Sequence, residues 1–294
     1  MEYLVFVLSL WGIYAMQALL LDVLVGEMGL LALCQGVFFG CGAYGVVIVG
    51  SYPGSSLPLA AMAGIVISGL LAVTVGAVLS RLGGDDFALA TYALALVFHD
   101  AVLHWTRATG GALGLVLPEQ VWHRGDGLWA NFAILAVIAS LVGCAVWLST
   151  RWRAAPLGRL VNAIREDETL TRSLGRPVER HRLAAMLATA IGGGVGGVCY
   201  ALVVGVVDPG GFDPMASILL VAMIVIGGAG TALGPVVGAG LVIVIPEVLR
   251  LSGLSGSTAA HLKQMAFGVL LYLIVAFRPN GLFGRLAIGV ERRS

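Results

Sequence analysis

Three acids stand in a row at Glu166, Asp167 and Glu168, the densest run of carboxylates in the chain. Two carboxylates that face one another can share a proton or hold a metal ion. Consecutive residues of an α-helix point about 100° apart, so these three cannot act as a facing pair. His99-Asp100 is the other ionisable pair to consider, at the end of an apolar run. At membrane depth such a pair is a candidate for a transport role, and at the rim it is interfacial. Cys34, Cys41, Cys144 and Cys199 all fall in apolar stretches, with no CxxC or Cys/His metal spacing. That is the pattern of small buried hydrophobes. The chain has no GxxxxGK[ST] phosphate loop, no HExxH and no GxSxG. No basic tract is interleaved with aromatics as nucleic-acid binding requires. The expectation is a protein that is not an enzyme, holds no metal and binds no nucleic acid.

The elements that carry these residues belong in a bilayer. The 294 residues are 59% hydrophobic and 11% charged, with a mean hydropathy of +0.98. A soluble domain carries about 25% charged residues. The expected fold class is an all-α polytopic membrane protein, a single transmembrane domain over 1–294. A span needs about 20 apolar residues, and the apolar runs predict spans over 3–21, 29–50, 57–80, 86–104, 131–150, 183–206, 215–229, 235–250 and 262–278. With ambiguous ends, this amounts to roughly eight to ten transmembrane helices. The seventh and eighth are short and punctuated by glycine, as partial or broken helices would be. Met1-Glu2-Tyr3 lacks the positive region of a secretory leader, so the first span is expected to be retained.

Loop charge sets the orientation. Eight arginines lie between Arg151 and Arg182, nearly half of the 17 Lys+Arg residues. Arg278, Arg285, Arg292 and Arg293 mark the tail. Both regions are expected in the cytoplasm, and the number of spans between them is consistent with that. Loop 81–86 then faces inward. The long loop of about 105–130, flanked by Trp105, Trp122 and Trp129, faces outward, as does the amino terminus.

Glycine is about twice as frequent as usual, at 42 residues. Small residues let membrane helices approach closely. Gly36 and Gly40 form one small-xxx-small pair beside Gln35, and Gly192/Gly196 and Gly193/Gly197 form two more. Ordinary helix packing is the first reading of each. A bent or half-length helix lining a pathway is the alternative for the first, and a gating hinge for the second. Gly227-Gly228-Ala-Gly230-Thr-Ala-Leu-Gly234-Pro235 predicts a turn between two short helices. Asp208-Pro209-Gly-Gly-Phe212-Asp213-Pro214 predicts a compact external turn.

The basic insert, about 151–182, is too charged for lipid. Read as a helix, it sets Leu157, Leu160, Val161, Ile164 and Leu174 roughly along one side, and Arg159, Arg165, Glu166 and Glu168 mostly elsewhere. Gly158 and Gly175 bracket it, with Pro156 and Pro177 beyond. A short amphipathic helix between two spans suits a groove on a soluble partner, or alternatively the membrane surface.

Gly158-Arg-Leu-Val-Asn-Ala-Ile-Arg-Glu-Asp-Glu168, followed by Leu174-Gly175, resembles the coupling segment of LivM-type permeases of branched-chain amino-acid ABC importers. Other blocks follow that family in order. These are Gln35-Gly36-Val-Phe38-Phe-Gly40-Cys-Gly42-Ala-Tyr44, then Gly84-Asp85-Asp86-Phe87-Ala-Leu-Ala-Thr91, then Thr109-Gly110-Gly111 with Gly114-Leu115. Asp208-Pro209 with Phe212 comes next, then Gly227 to Pro235, and lastly Phe277-Arg278-Pro279-Asn280-Gly281-Leu282. Together they cover almost the whole chain. Two places depart from the family: Phe98-His99-Asp100 stands where Gly-Glu-Ile-like residues are usual, and Ala32-Leu33-Cys34 where Ser-Leu-Gly is common. The cargo can therefore differ from leucine, isoleucine or valine, and related permeases move urea, short amides and aromatic acids.

The resemblance implies a permease half of an importer in the bacterial cytoplasmic (inner) membrane. Its partners would be a second, LivH-type permease subunit, two cytoplasmic ATPases and an external or periplasmic substrate-binding protein. ATP and Mg would sit on the ATPases, with no cofactor on this chain. The implied ATPase-coupling residues are Gly158, Arg159, Leu160, Ala163, Ile164, Arg165, Glu166, Asp167, Glu168, Leu174 and Gly175. The candidate pathway residues are Gln35, Phe38, Tyr44, Thr91, His99, Thr109, Gly110 and Gly111. Gly36, Gly40, Gly192, Gly196, Gly230, Gly234 and Pro235 are candidate packing or hinge positions. The rival reading is a stand-alone secondary transporter or channel. It would call for coupling-ion residues at membrane depth, often in inverted repeats, and no clear repeat is present.

Overall fold

A computed structural model describes residues 2–118, 128–251, 268 and 281–284. The predicted ninth span over 262–278, apart from residue 268, together with the tail arginines, Trp122 and Phe277 to Asn280, lies outside the described residues. What is described is almost entirely helical, as an all-α polytopic membrane protein should be. The long apolar helices are α1 (Glu2–Asp22), α3 (Leu57–Leu79), α4 (Gly84–His104), α6 (Leu128–Ala154) and α9 (Val178–Val204). Each is long and apolar enough to cross a membrane, α1 when counted with its continuation to Glu27. Three more are shorter, α2 (Gln35–Gly50), α10 (Pro214–Gly227) and α11 (Gly234–Leu251), and α5 (Thr106–Thr109) is a single turn. At 1.5 Å per residue, α10 reaches only about 21 Å, less than the roughly 30 Å of hydrocarbon. The broken seventh span expected from its glycines is therefore a helix too short to cross unaided.

The second span differs from its predicted limits of 29–50. Helix α1 passes into a π-helical turn, Val23–Glu27. The chain then unwinds through 28–34, and α2 begins only at Gln35. Unwound backbone inside a bilayer must find partners within the protein. Here the Leu33 amide donates to the Thr91 hydroxyl at 3.1 Å, and the Leu30 amide donates to the Leu24 carbonyl at 2.9 Å.

Helix α9 is the centre of the bundle and packs on α1, α2 and α3. It can do so because its glycines face in several directions. A Cβ on Gly197 would overlap the Phe39 carbonyl oxygen, and one on Gly194 would press on Ile65 and Ser68. Gly192 and Gly196 face Leu20 and Gln17 of α1. Gly42 of α2 touches the Gly194 backbone, and Gly45 and Gly64 bring α2 equally close to α3. Helix α1 also packs on α6 and α11, and α10 pairs with α11.

The two ends of the bundle differ in character. One end carries the basic segment. At the other, β1 (Leu115–Val116) pairs antiparallel with β2 (Val206–Val207), above an aromatic cluster. Phe39, Tyr200 and Phe212 stack edge to face at 5.3–5.8 Å, and Tyr14 and Tyr44 extend the group. The turn Asp208 to Pro214 closes this end. The Asp208 carboxylate accepts from the Gly211 amide at 2.9 Å, and the Asp213 carboxylate from the Met215 amide at 3.1 Å.

Gly42→Val should therefore force α2 from α9. Overpacking of this kind costs about 3 kcal/mol or more when backbone must move. Gly69→Ala, whose added Cβ meets only Ile191 at 3.9 Å, should be tolerated. Thermal unfolding in detergent should show a large loss for the first variant and almost none for the second.

Candidate functional site

The residues implied for coupling form a compact structure at the arginine-bearing end. Pro156 sits in the first turn of α7 (Pro156–Glu166), where a missing amide is harmless. The helix does not run on to residue 170 as a single unit. It stops at Asp167, whose side chain accepts from the Leu170 amide at 2.9 Å and caps a second helix, α8 (Glu168–Ser173). Gly175, at φ +74°, ends α8 in the left-handed conformation that glycine tolerates.

The side expected to be uniformly apolar is divided. Gly158, Val161 and Ile164 are buried in the chain's own core, with Leu160 packed against them. A Cβ on Gly158 would overlap the Trp152 carbonyl. Leu157, Leu170 and Leu174 instead point outward, with Leu174 72% exposed. Arg159, Glu166 and Asp167 are exposed beside them, and Ala163 is half-buried. The solvent-facing surface of this segment is thus a set of leucines among charges. Glu168 turns inward, and its Oε2 takes a 2.6 Å ion pair from Arg182. Arg172 bridges Glu168 and Glu179 at 3.0 and 2.8 Å.

Beneath α7 lies a buried charge cluster that the sequence reading did not single out. Asp22 and Glu27, at the ends of the π-helical turn, are 0% and 2% exposed. Arg153, at the end of α6, donates to both. Its Nη2 is 2.9 Å from Asp22 Oδ2 and its Nε 2.7 Å from Glu27 Oε1. The Asp22 carboxylate also accepts from the Gly230 amide, at 2.9 Å to Oδ1 and 3.1 Å to Oδ2. Arg165 of α7 donates to the Gly26 carbonyl. Gly26 has no side chain to spare, since a Cβ there would meet the Asp22 carboxylate and the Gly230 amide. One cluster therefore joins four segments: the π-helical turn, the end of α6, α7 and the turn after α10. A π-turn is rare and often marks a functional position.

The turn after α10 is tied in from two more directions. Thr231 Oγ1 donates to the Gly228 carbonyl and accepts from the Gly234 amide. The Leu282 and Phe283 amides donate to the Ile226 and Gly227 carbonyls, which the end of a helix leaves without partners. Gly228 and Gly230 have positive φ. Pro235 is the second residue of α11.

The candidate pathway residues do not form one site. Gln35 and Thr91 bracket the unwound segment at mid-bundle. The Gln35 side chain donates to Gln17 Oε1, and Gln17 Nε2 donates to the Gly193 carbonyl at 3.0 Å. This buried glutamine pair links α1, α2 and α9. Only Gln35 stood out in the sequence, because Gln17 sits in an unbroken apolar run. The Gly36 amide donates to Ser217 Oγ at 2.9 Å, and Gly40 lies against Phe98 and Phe212. Phe38 is fully buried, and Tyr44 belongs to the aromatic cluster. His99 is half-buried one turn before the end of α4, and Asp100 beside it is exposed. Thr109, Gly110 and Gly111 shape the far-end loop, where Thr109 Oγ1 donates to the Val102 carbonyl at 2.6 Å.

Residues 3–275 match the model of the branched-chain amino acid transport system / permease component family. The chain is 29% identical to the high-affinity branched-chain amino acid transport system permease protein LivM of Salmonella typhimurium, over 92% of this chain and 67% of that protein. It is likewise 29% identical to the Escherichia coli protein of the same name, over 93% and 68%. The probable branched-chain amino acid transport permease protein LivM of Methanocaldococcus jannaschii is 24% identical, over 74% and 66%. The chain thus spans about two thirds of the length of these relatives. No solved structure matches it significantly.

Arg153→Ala would leave Asp22 and Glu27 buried without their main counter-charge, at a cost of about 3–5 kcal/mol. Arg153→Ala with Asp22→Asn and Glu27→Gln removes the charges together and should recover a large part of that loss. Unfolding midpoints of the detergent-solubilised single and triple variants provide the check.

Proposed function

This chain belongs to the branched-chain amino acid transport system / permease component family, and on that premise we propose that it is one permease half of an ATP-driven importer. Within that family it is a transport subunit and a multi-pass membrane protein. The proposed assembly adds a second, LivH-type permease, two cytoplasmic ATPases that bind ATP and Mg, and an external or periplasmic binding protein. It resides in the bacterial cytoplasmic (inner) membrane with the arginine-bearing end inside. Its cargo is a branched-chain amino acid or a related small polar, amide or aromatic-acid solute.

The observation that carries this reading is the two-sided character of residues 156–175. Their inner side is locked into the chain by Val161, Ile164, Arg165 and Glu168. Their outer side shows Leu157, Leu170 and Leu174 among charges. A segment meant only to connect two spans has no use for exposed leucines on a charged surface, whereas a docking element does. When ATP closes the ATPase dimer, its groove moves α7 and α8. Arg165 passes that displacement to Gly26, and Glu168 passes it to Arg182 of α9. Residues 23–34 and the foot of α9 then tilt, and access alternates between the two sides. Selection rests mainly with the binding protein, which fits the scarcity of ionisable groups along the spans.

Glu166→Arg combined with Leu170→Asp alters only exposed positions. It should cut ATPase retention during purification of the co-expressed importer by roughly ten-fold or more, as loss of interface anchors does. Undiminished retention would remove the docking assignment. Uptake that survives inactivation of both ATPases would favour a secondary transporter or channel. Ile164→Asp is a poor probe of docking, because its side chain lies in the chain's own core.

A further inference from the structure

A cleft of about 520 Å³ opens at the arginine-bearing end, between the unwound residues 28–31, α7, α8 and α10. Its size falls within the range of about 300–1,000 Å³ typical of small-ligand sites. Its walls sit where spans end. Gly84 is the first residue of α4, and Val225 lies near the end of α10. In a bilayer that is the depth of the lipid headgroups, where basic pockets between helices meet anionic lipid.

Arg165, Glu168 and Arg182 are the charged residues of the lining, and they are not equivalent. Both oxygens of Glu168 are taken, Oε1 by Arg172 at 3.0 Å and Oε2 by Arg182 at 2.6 Å. Arg182 also donates to the Leu82 carbonyl at 2.9 Å, and Arg172 also meets Glu179. This network of two acids and two arginines is neutral. Arg165 is different. It donates to the Gly26 carbonyl through Nη1 and has no carboxylate within ion-pair distance among the described residues. The Asp22–Glu27–Arg153 cluster sets two carboxylates against one arginine, but these acids are almost fully buried and outside the lining. Asp85 and Asp86 of α4 are exposed and likewise outside it. A guanidinium has five donors in a planar fork that matches a phosphate, so Arg165 brings the cleft a positive charge with donors to spare.

The rest of the wall is aliphatic, and it does not close. Val221 and Val225 of the lining lie at helical spacing with Ile218, which is 41% exposed, on one side of α10. That stripe runs about 10 Å along the helix, from the cleft to the outer surface of the bundle. A free phosphate has no use for such a track, whereas an acyl chain lies along it. A zwitterionic headgroup would bring an ammonium as well, and the paired Glu168 has no oxygen left to receive it.

We propose that this cleft is a lipid site, which takes the phosphate of an anionic phospholipid on Arg165 and its acyl chain along Val225, Val221 and Ile218. The bound lipid braces α7 against α10 beside the unwound segment. The proposal needs only a chain that spans a bilayer, and it stands or falls apart from the importer reading.

The test uses the full chain, purified in mild detergent and stripped of lipid, with native mass spectrometry reading the occupancy of the first bound lipid. Dioleoylphosphatidylglycerol should bind about ten-fold more tightly than dioleoylphosphatidylcholine, the scale of one charge-assisted contact. Arg165→Gln should erase that preference. Because this change also removes the bond to Gly26, Leu31→Glu is the second variant. It leaves Arg165 in place, sets a carboxylate at an exposed position of the cleft, and should erase the preference too. Arg159→Gln, at an exposed position of α7 outside the lining, should leave it intact. Ile218→Asn, on the exposed part of the track, should weaken phosphatidylglycerol binding several-fold. Millimolar inorganic phosphate or glycerophosphoglycerol should not displace the lipid. Equal binding of the two lipids, a preference that survives either cleft variant, or an equal loss in Arg159→Gln overturns the proposal. Displacement by the soluble anions, or indifference to Ile218→Asn, shows an anion site without an acyl chain and overturns it as well.

Discussion

Two carboxylates without water need counter-charge, and at the arginine-bearing end that need determines where four segments lie. Asp22 and Glu27 are buried at either end of a single π-turn. An isolated buried carboxylate costs several kcal/mol, so an arginine must reach them. Arg153 does so from the end of α6, and Arg165 brings α7 against the carbonyl between them. The second Asp22 oxygen then fixes the Gly230 amide, and with it the turn between α10 and α11. Displacing any one of these segments would expose or strand a charge in a poorly solvated place.

The helix break beside this cluster follows from the same constraint. A π-turn places its side chains out of ordinary helical register, which lets Asp22 and Glu27 both face Arg153. The chain then cannot continue as one span. It crosses the lower part of the bundle unwound, held by Thr91, and restarts at Gln35 against Gln17 and Ser217. The glycines of α2, α3 and α9 allow the helices around this break to close upon it backbone to backbone. Rigid packing around an irregular strand of chain, with a charge cluster at its base, is an arrangement that can turn a push from outside into a tilt within.

Much of this was legible in the sequence, and the failures have physical causes. Hydropathy located every described span, because lipid demands long apolar runs. It placed the second span too early, because residues 28–34 are as apolar as a helix and differ only in backbone. The glycine pairs of α9 marked close approach but not which neighbour each would meet. The basic segment stood out by charge. Its division into α7 and α8 was written in Asp167, an N-cap residue, yet was obscured by the acids on either side. Val161 and Ile164 looked available to a partner because helical periodicity shows a side and not what covers it. Asp22, Glu27 and Arg153 escaped notice singly, since each sits at a span end where charge is unremarkable. Only their meeting in space, across more than a hundred residues of sequence, shows their role.

In the proposed importer, α7 and the unwound segment move as one body through Arg165, Gly26 and the charge cluster. Spin labels at Asn162, exposed on α7, and at Leu31, exposed on the unwound segment, measure this directly by pulsed electron resonance in the chain assembled with its proposed partners. A third label at Thr74, exposed on α3, supplies the reference. When ATP is trapped on the proposed partner ATPases, the Asn162–Leu31 distance should hold while Asn162–Thr74 shifts. An Asn162–Leu31 distance that changes while Leu31–Thr74 stays constant would show α7 sliding free of the unwound segment, and would contradict the account.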